Sequence, residues 1–188
     1  AMMDHIPTKW GSDWPFAVTA RQLKASGYQF DYVSDKLLQK MTVQDGKAKS
    51  AGGSLYKAIV IPACKRMPIE TMRKLMELAK SGVPVIFDKE MPGDVPGLNE
   101  VSQRLQTLLV QREAMTTMPQ VSVVNNVDSV LQILSVPKTV LPACGLEYIR
   151  KELDGGKVFF IANQKSDFQQ GEIILDRFYR NITAYNPI

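Results

Sequence analysis

The sequence has few of the residues that build metal sites and disulfide frameworks. Its 188 residues include two cysteines, Cys64 and Cys144, and one histidine, His5. Two cysteines are too few for a disulfide framework in a chain of this length, although a single bridge between them stays open. A structural zinc site takes about four His or Cys ligands, so the sequence predicts no metal site.

Long apolar runs, basic runs and glycine-rich phosphate loops are also missing. No apolar stretch approaches the roughly 20 residues of a membrane-spanning helix. The net charge of +4 is spread along the chain among acidic residues, which argues against a nucleic-acid partner. Without a P-loop or a Gly-x-Gly-x-x-Gly motif, no nucleotide cofactor is expected. The chain shows no signal peptide, which leaves localisation open, including a periplasmic or secreted parent protein.

The clearest positive signal is a strand–helix–strand unit between Tyr56 and Asp88. Residues 57–62 and 83–87 are apolar runs, and residues 68–80 between them have helical spacing of apolar positions. Continuous apolar strands on both sides of an amphipathic helix are typical of parallel strands covered on both faces. The sequence therefore predicts a βαβ unit with a parallel sheet.

The flanking segments extend this unit on both sides. Pro15 near the start and Gly27 after the end predict a first helix. Later, Asn99 and Asp128 are expected to cap two more helices, the first with Leu109 facing inward. The other predicted elements are a strand over 28–33, a short helix or turn over 36–40, a flexible polar loop over 45–53 and a strand over 121–124.

Near Cys144 the pattern of the sequence changes from alternating helices and strands to strand-like runs. Residues 146–153 and 157–163 are strand-like and are joined by Asp154-Gly155-Gly156, a strong hairpin signal. Residues 171–175 and 181–185 are two further strand candidates. The predicted organisation is therefore an α/β part over 1–143 and an antiparallel β segment over 144–188.

Cys64 is a candidate reactive thiol because of its position between a strand and a helix. Loops at the carboxyl ends of parallel strands are where doubly wound folds place their sites, and Lys65 and Arg66 could favour a thiolate. However, a hydrolytic cysteine needs a positioned base, and His5 is the only histidine. The alternative is a small side chain that packs in the loop.

Carboxylates and tryptophans offer two other candidate sites. Asp88 and Glu90 end the next strand, so they could act as an acid–base pair or, with Lys65 and Arg66, as a carbohydrate or interdomain contact. They could equally be solvated turn residues. Trp10 is the better candidate for stacking on a sugar ring, since Trp14 beside Pro15 is expected to pack at the helix start.

Several segments, taken in order, share a pattern with one enzyme family. They are Phe30–Leu38, Tyr56–Pro62, Met67–Met72 continuing to Gly82–Phe87, Asp94–Gly97, Leu146–Lys151, Val158–Asn163 and Ala184–Ile188. Together they resemble α-L-rhamnosidase-type glycoside hydrolases, family 106 and relatives. In the last segment, Asn186 stands where the family pattern has Asp.

This resemblance implies the α/β domain that follows the catalytic TIM barrel in such enzymes. That domain is similar to the class I amidotransferase-like domain of some β-galactosidases, where it contributes to oligomer contacts. The catalytic carboxylates belong to the barrel, which this chain is too short to contain, so no catalytic residue is carried over. The expected fold is thus α/β: a flavodoxin-like or class I amidotransferase-like parallel sheet with helices on both faces. A C-terminal antiparallel β segment follows, which could open a β-sandwich.

The leading functional hypothesis is a non-catalytic accessory domain of, or related to, a glycoside hydrolase. It would dock to a catalytic barrel, self-associate or line a glycan cleft, without a cofactor and without a nucleic-acid or membrane partner. Two alternatives stay open. One is a cysteine hydrolase of amidotransferase-like fold acting through Cys64. The other is a carbohydrate-binding module that holds an oligosaccharide through the candidate contact residues Trp10, Lys65, Arg66, Asp88 and Glu90.

Overall fold

The structure is a computed structural model that describes residues 13–153, 156–164, 166–167, 170 and 181–184. These residues cluster into two compact units. The first combines residues up to Arg21 with 31–136, and the second combines 22–30 with residues from 137 onward. The predicted boundary at residue 143 stays a prediction. None of the helices in the described part of the chain is long and apolar enough to cross a membrane.

Helices and strands alternate through the first unit, and a hairpin dominates the second. The helices are α1 (Pro15–Ala25), α2 (Asp35–Leu38), α3 (Ile69–Lys80), α4 (Val101–Thr116) and α5 (Val127–Ile133). The strands are β1 (Thr42–Gln44), β2 (Lys47–Lys49), β3 (Leu55–Tyr56), β4 (Ile59–Ile61), β5 (Val85–Asp88), β6 (Val121–Val124), β7 (Glu147–Leu153) and β8 (Gly156–Ala162).

The predicted βαβ unit is confirmed as the centre of a small parallel sheet. Its strand order is β4-β5-β6, with Ile59 opposite Val85 and Val85 opposite Val121. All four residues of β5 are buried. Since neighbouring strand residues point to opposite faces, both faces of β5 are covered, which explains why its sequence lacks polar alternation.

Helix α3 supplies much of the core of the first unit. It starts directly after Pro68 and ends before Gly82, whose φ of +95° suits a residue without a side chain. Lys74 is buried although its side chain is charged, and its Nζ donates to Glu77 across 3.0 Å. The core around the helix includes Met72, Leu75, Leu78, Ala79, Val85, Phe87, Leu108 and Met115.

The polar stretch predicted as a flexible loop over 45–53 is instead part of an antiparallel meander, β1-β2-β3. Gln44 pairs with Lys47, so Asp45 and Gly46 form a two-residue turn, with φ angles of +52° and +68°. Asp-Gly favours such turns because both central residues need positive φ. The strands themselves gave little signal, since β1 and β2 have three residues each and β2 contains two lysines.

The strand predicted over 28–33 is wrong, because these residues belong to no strand. Tyr28 is buried and its backbone N–H donates to Leu23 O at the end of α1, whereas Tyr32 and Val33 are exposed. Alternation of apolar and polar residues gives a strand only where a neighbouring strand supplies the ladder of hydrogen bonds.

Both later helix caps lie next to the predicted residues. Helix α4 has Glu100 rather than Asn99 at its N-cap, and α5 has Asn126 rather than Asp128. The Asn126 side chain accepts from the Asp128 backbone N–H, a contact that either residue type offers, so spacing alone did not decide the cap. Leu109, expected to face inward, is exposed, while Leu108 is buried.

The second unit contains the predicted hairpin. Strands β7 and β8 pair antiparallel, with Ile149 opposite Phe160 and Leu153 opposite Gly156. Gly27 O accepts from the Thr139 backbone N–H at 2.9 Å and lies 3.3 Å from the Tyr148 hydroxyl, which attaches residues 22–30 to this unit.

Two more strands were predicted after the hairpin. The strand predicted over 171–175 lies outside the described residues. Residues 181–184, predicted as strand, carry no regular secondary structure and are exposed. Their sequence alternates, but no ladder partner is found for them in the described ranges.

Candidate functional site

Most of the predicted site residues lie at one edge of the parallel sheet. Strands β4, β5 and β6 run in the same direction, so their carboxyl ends lie side by side. The loop of residues 62–68 follows β4, and the loop of residues 89–100 follows β5. We call this edge the rim and define it by Cys64, Lys65, Arg66, Asp88, Glu90 and Asp94.

Arg66 and Asp94 join the two loops of the rim. Arg66 Nε donates to Asp94 Oδ2 across 2.7 Å, and the backbone N–H of Asp94 donates to Lys65 O across 3.1 Å. The Val95 backbone N–H and then Arg66 lower the pKa of the Asp94 carboxyl. This pairing was not predicted, because it joins residues that are far apart in sequence and no local pattern links them.

Asp88 is not the solvated turn residue that the sequence offered as one alternative. It is the last residue of β5 and is only 4% exposed. The hydroxyl of Thr19, on α1, lies 2.6 Å from Asp88 Oδ2 and donates to it, and the same hydroxyl lies 3.0 Å from Pro15 O. The buried Asp88 side chain is thus hydrogen-bonded, and this contact joins α1 to the end of β5.

The Cys64 thiol lies in an acidic environment. It is half-buried, and burial followed by the charges of Glu90 and Asp35 raises its pKa. Asp35 was not predicted as a site residue; it starts α2, and its Oδ1 accepts from the Thr71 hydroxyl on α3 at 2.8 Å. Both Lys65 and Arg66 are exposed. The thiol is therefore held protonated, the opposite of what a nucleophile requires.

The tryptophan predictions have different outcomes. Trp10 lies outside the described residues. Trp14, expected to pack at the helix start, is 62% exposed. The neighbouring apolar contact is made by Phe16 instead, whose ring centroid lies 4.8 Å from that of Tyr32 at an interplanar angle of 37°.

The rim therefore presents exposed side chains of both charges beside the buried side chain of Asp88. Lys65, Arg66 and Glu90 are exposed, whereas Asp88 is buried and Asp94 is paired. Across the described residues, no group of three or more His, Cys, Asp or Glu side chains is placed to hold a metal ion.

Comparisons with known proteins give the relationship. The alpha-L-rhamnosidase family model, glycoside hydrolase family 106, matches residues 15–178. A protein named "Putative beta-glucuronidase" from Formosa agariphila is 24% identical over 155 residues, which cover 79% of this chain and 13% of that protein. The rhamnosidase structure from Novosphingobium sp. PP1Y aligns with a TM-score of 0.59 and 16% identity, over 71% of this chain and 14% of the other.

These matches differ in what they establish. The structural alignment, at 16% identity, shows a shared fold alone. This chain spans only about one seventh of the length of either relative. The family model, in contrast, covers most of the chain and confirms the resemblance seen in the sequence. The chain therefore belongs to the alpha-L-rhamnosidase family of glycoside hydrolases, family 106.

Proposed function

We propose that this chain is a non-catalytic accessory unit of an alpha-L-rhamnosidase-type glycoside hydrolase. Its parallel sheet would be a flavodoxin-like or class I amidotransferase-like core, and the rim would dock to the catalytic barrel of the parent protein. The observation that carries the proposal is the state of the rim carboxylates. Asp88 is buried against Thr19, and Asp94 is paired with Arg66.

Glycoside hydrolysis usually takes two carboxyl groups that flank the glycosidic bond, one acting as acid and the other as nucleophile or base. Of the rim carboxylates, Glu90 alone is both exposed and without an ion-pair partner within the described residues. One exposed carboxylate does not make such a pair. The matched segments also cover only 13% and 14% of the two relatives, which leaves ample room for a catalytic domain elsewhere.

Hydrolysis assays test the accessory role directly. The chain is incubated with p-nitrophenyl α-L-rhamnopyranoside and with p-nitrophenyl β-D-glucuronide, and release of nitrophenol is measured. We expect release no faster than in buffer. Release at enzyme-like rates that Glu90→Gln abolishes would show that the rim is catalytic and would overturn the proposal.

The cysteine-hydrolase alternative is tested by the reactivity of the thiol. In Cys144→Ser, Cys64 is the remaining cysteine, and in Cys64→Ser the exposed Cys144 remains. Because thiolate is the reactive species, the raised pKa of the half-buried Cys64 should make its alkylation by iodoacetamide at pH 7.5 slower than that of the exposed Cys144. Faster alkylation of Cys64 would revive the hydrolase.

Self-association is a second candidate role, favoured by the hairpin. Ile149, Val158 and Phe160 lie on one face of the two-stranded sheet and are more than half exposed. An exposed apolar sheet face of this kind suits a protein contact. Sedimentation velocity of the chain and of Ile149→Thr/Phe160→Thr tests this role. A dimer that the double substitution dissociates supports it, and a monomer at 100 μM excludes it.

A further inference from the structure

The sequence contains one motif that the proposed function does not use. Asn181-Ile182-Thr183 has the pattern Asn-x-Ser/Thr, in which x is not proline. This pattern is the acceptor motif for N-linked glycosylation, which attaches an oligosaccharide to the side-chain amide of the asparagine. None of the other five asparagines of the sequence has serine or threonine at the second position after it. The motif therefore distinguishes one asparagine of this chain from the rest.

The structure places this motif where an enzyme can reach it. Residues 181–184 are exposed and belong to no helix or strand, although their alternating sequence predicts a strand. The Ile182 side chain is 71% exposed. A paired strand would commit the backbone N–H and C=O groups of the motif to a neighbouring strand. Outside helices and strands, the three residues of the motif are accessible to the active site of a modifying enzyme.

Asn163 is a second exposed asparagine, and it differs from Asn181 in the residues that follow. It lies directly after β8 and outside the strands, but Gln164 and Lys165 come after it in the sequence. Its Nδ2 donates to Asp167 O across 2.6 Å. Exposure alone therefore makes no acceptor, and Asn181 is the described asparagine that combines exposure with the motif.

We propose that Asn181 is an acceptor for N-linked glycosylation in the folded chain. The donor is an oligosaccharide carried on a lipid diphosphate, and the enzyme is an oligosaccharyltransferase. The amide nitrogen of Asn181 forms a bond to C1 of the first sugar while the bond between C1 and the diphosphate oxygen breaks. The lipid diphosphate leaves with the electron pair and the amide loses one proton. Since serine and threonine share a hydroxyl, that group of Thr183 is what the enzyme recognises.

An oligosaccharide at this position would change the surface of the second unit, to which residues 181–184 belong. Attached glycans are bulky and hydrophilic, so one on Asn181 would shield the exposed apolar side chain of Ile182. This inference goes beyond the proposed function, because the docking proposed for the rim concerns the first unit and needs no attached oligosaccharide.

Treatment of the purified, folded full chain tests the proposal. The chain is incubated with a eukaryotic oligosaccharyltransferase and a lipid-diphosphate-linked oligosaccharide, and its intact mass is measured. A short Asn-Ile-Thr peptide, modified under the same conditions, shows that the enzyme is active. We expect most chains to gain the mass of one oligosaccharide, and peptide:N-glycanase to remove it and leave aspartate at position 181. A chain that keeps its original mass while the peptide is modified would overturn the proposal.

Two substitutions of Thr183 separate recognition of the motif from accessibility of the asparagine. Thr183→Ala removes the hydroxyl and should abolish the modification, whereas Thr183→Ser keeps the hydroxyl and should retain most of it. Thr183 is exposed, so neither change should alter the melting temperature. Asn163→Gln, a change at the exposed asparagine outside the motif, is the matched control and should leave the modification unchanged. Modification that persists in Thr183→Ala or in Asn181→Gln would show that another side chain carries the oligosaccharide, and would overturn the proposal.

Discussion

Strands β5 and β8 both contain valine, isoleucine and phenylalanine. Every residue of β5 is buried, whereas no residue of β8 is. Val85, Ile86 and Phe87 of β5 are all buried, whereas in β8 exposed residues alternate with partly buried ones from Gly156 to Phe160. In β5, paired strands lie on both sides and both faces are covered. In β8, only one face is partly covered within its unit. The neighbouring elements, rather than the composition of the strand, therefore decide how much such a run of residues contributes to stability.

Truncating one phenylalanine in each strand tests this difference and should have the largest effect. Phe87 is 0% exposed, so Phe87→Ala should lower the free energy of unfolding by about 3–5 kcal/mol. Phe160 is 60% exposed, and Phe160→Ala should cost less than about 1 kcal/mol. Urea denaturation followed by circular dichroism measures both. A comparable loss in Phe160→Ala would mean that its face is covered in solution, and the contrast between the strands would disappear.

The second prediction concerns the contact between Gly27 and Thr139, both of which belong to the second unit. Its φ is +84°, and a Cβ built there would lie 2.0 Å from Thr139 O, a backbone atom that cannot move easily. The left-handed backbone and the overlap together predict that Gly27→Ala costs about 2–4 kcal/mol.

Gly53→Ala is the control for this substitution. Gly53 has a φ of +89°, but a Cβ there would meet nothing within 4 Å. It should therefore carry only the backbone cost of about 1–2 kcal/mol. Thermal unfolding compares the two variants. Equal losses would show that the Gly27–Thr139 contact relaxes to admit the added methyl group.

The third prediction compares a buried and an exposed polar contact made by the same helix. Thr19→Val removes the donor to the buried Asp88 carboxylate and should cost about 1–3 kcal/mol. Lys24→Met removes the exposed ion pair with Glu147 in the hairpin unit, 2.5 Å in length, and should cost less than about 1 kcal/mol. Thr19→Ser keeps the hydroxyl and should restore most of the stability. A smaller loss in Thr19→Val than in Lys24→Met would contradict the role given to burial.

The same comparison explains how much of the fold the sequence predicts. The βαβ unit was predictable because its strands are continuous apolar runs and its helix has amphipathic spacing, and both patterns are local in sequence. The β7–β8 hairpin was predictable because Asp154-Gly155 and alternation agree. The predicted strand over 28–33 failed because alternation was present without a partner strand. The meander over 42–56 was missed for the opposite reason, since its pairing was present with little hydrophobic alternation.

The candidate site was predictable in position but not in detail. The topology of parallel strands placed Cys64, Lys65, Arg66, Asp88 and Glu90 near the carboxyl edge of the sheet. Whether each side chain is buried or paired depends on distant residues. The sequence could not show that Thr19 covers Asp88 or that Asp94 pairs with Arg66, because 69 and 28 residues separate these partners.

The smallest expected effect lies at the rim, in the exposed ion pair between Arg66 and Asp94. The pKa of Asp94 is lowered, first by the Val95 backbone N–H and then by Arg66. The folded state thus favours the ionised carboxylate. The stability that this contributes is present above the unfolded pKa, about 3.9, and is lost as the pH falls through the lower folded value.

Asp94→Asn should therefore lower the melting temperature slightly at pH 7, and the difference from the wild type should shrink as the pH falls below about 3.9. In Arg66→Gln the same pH profile should persist in reduced form, because the contribution of the Val95 N–H remains. In the wild type, 1 M NaCl should weaken only the Arg66 part, since salt screens exposed charges. A difference between Asp94→Asn and the wild type that stays constant from pH 7 to pH 2.5 would show that the charge of Asp94 does not stabilise the rim. Backbone hydrogen bonds such as that from Asp94 N–H to Lys65 O would then hold the two loops of the rim together.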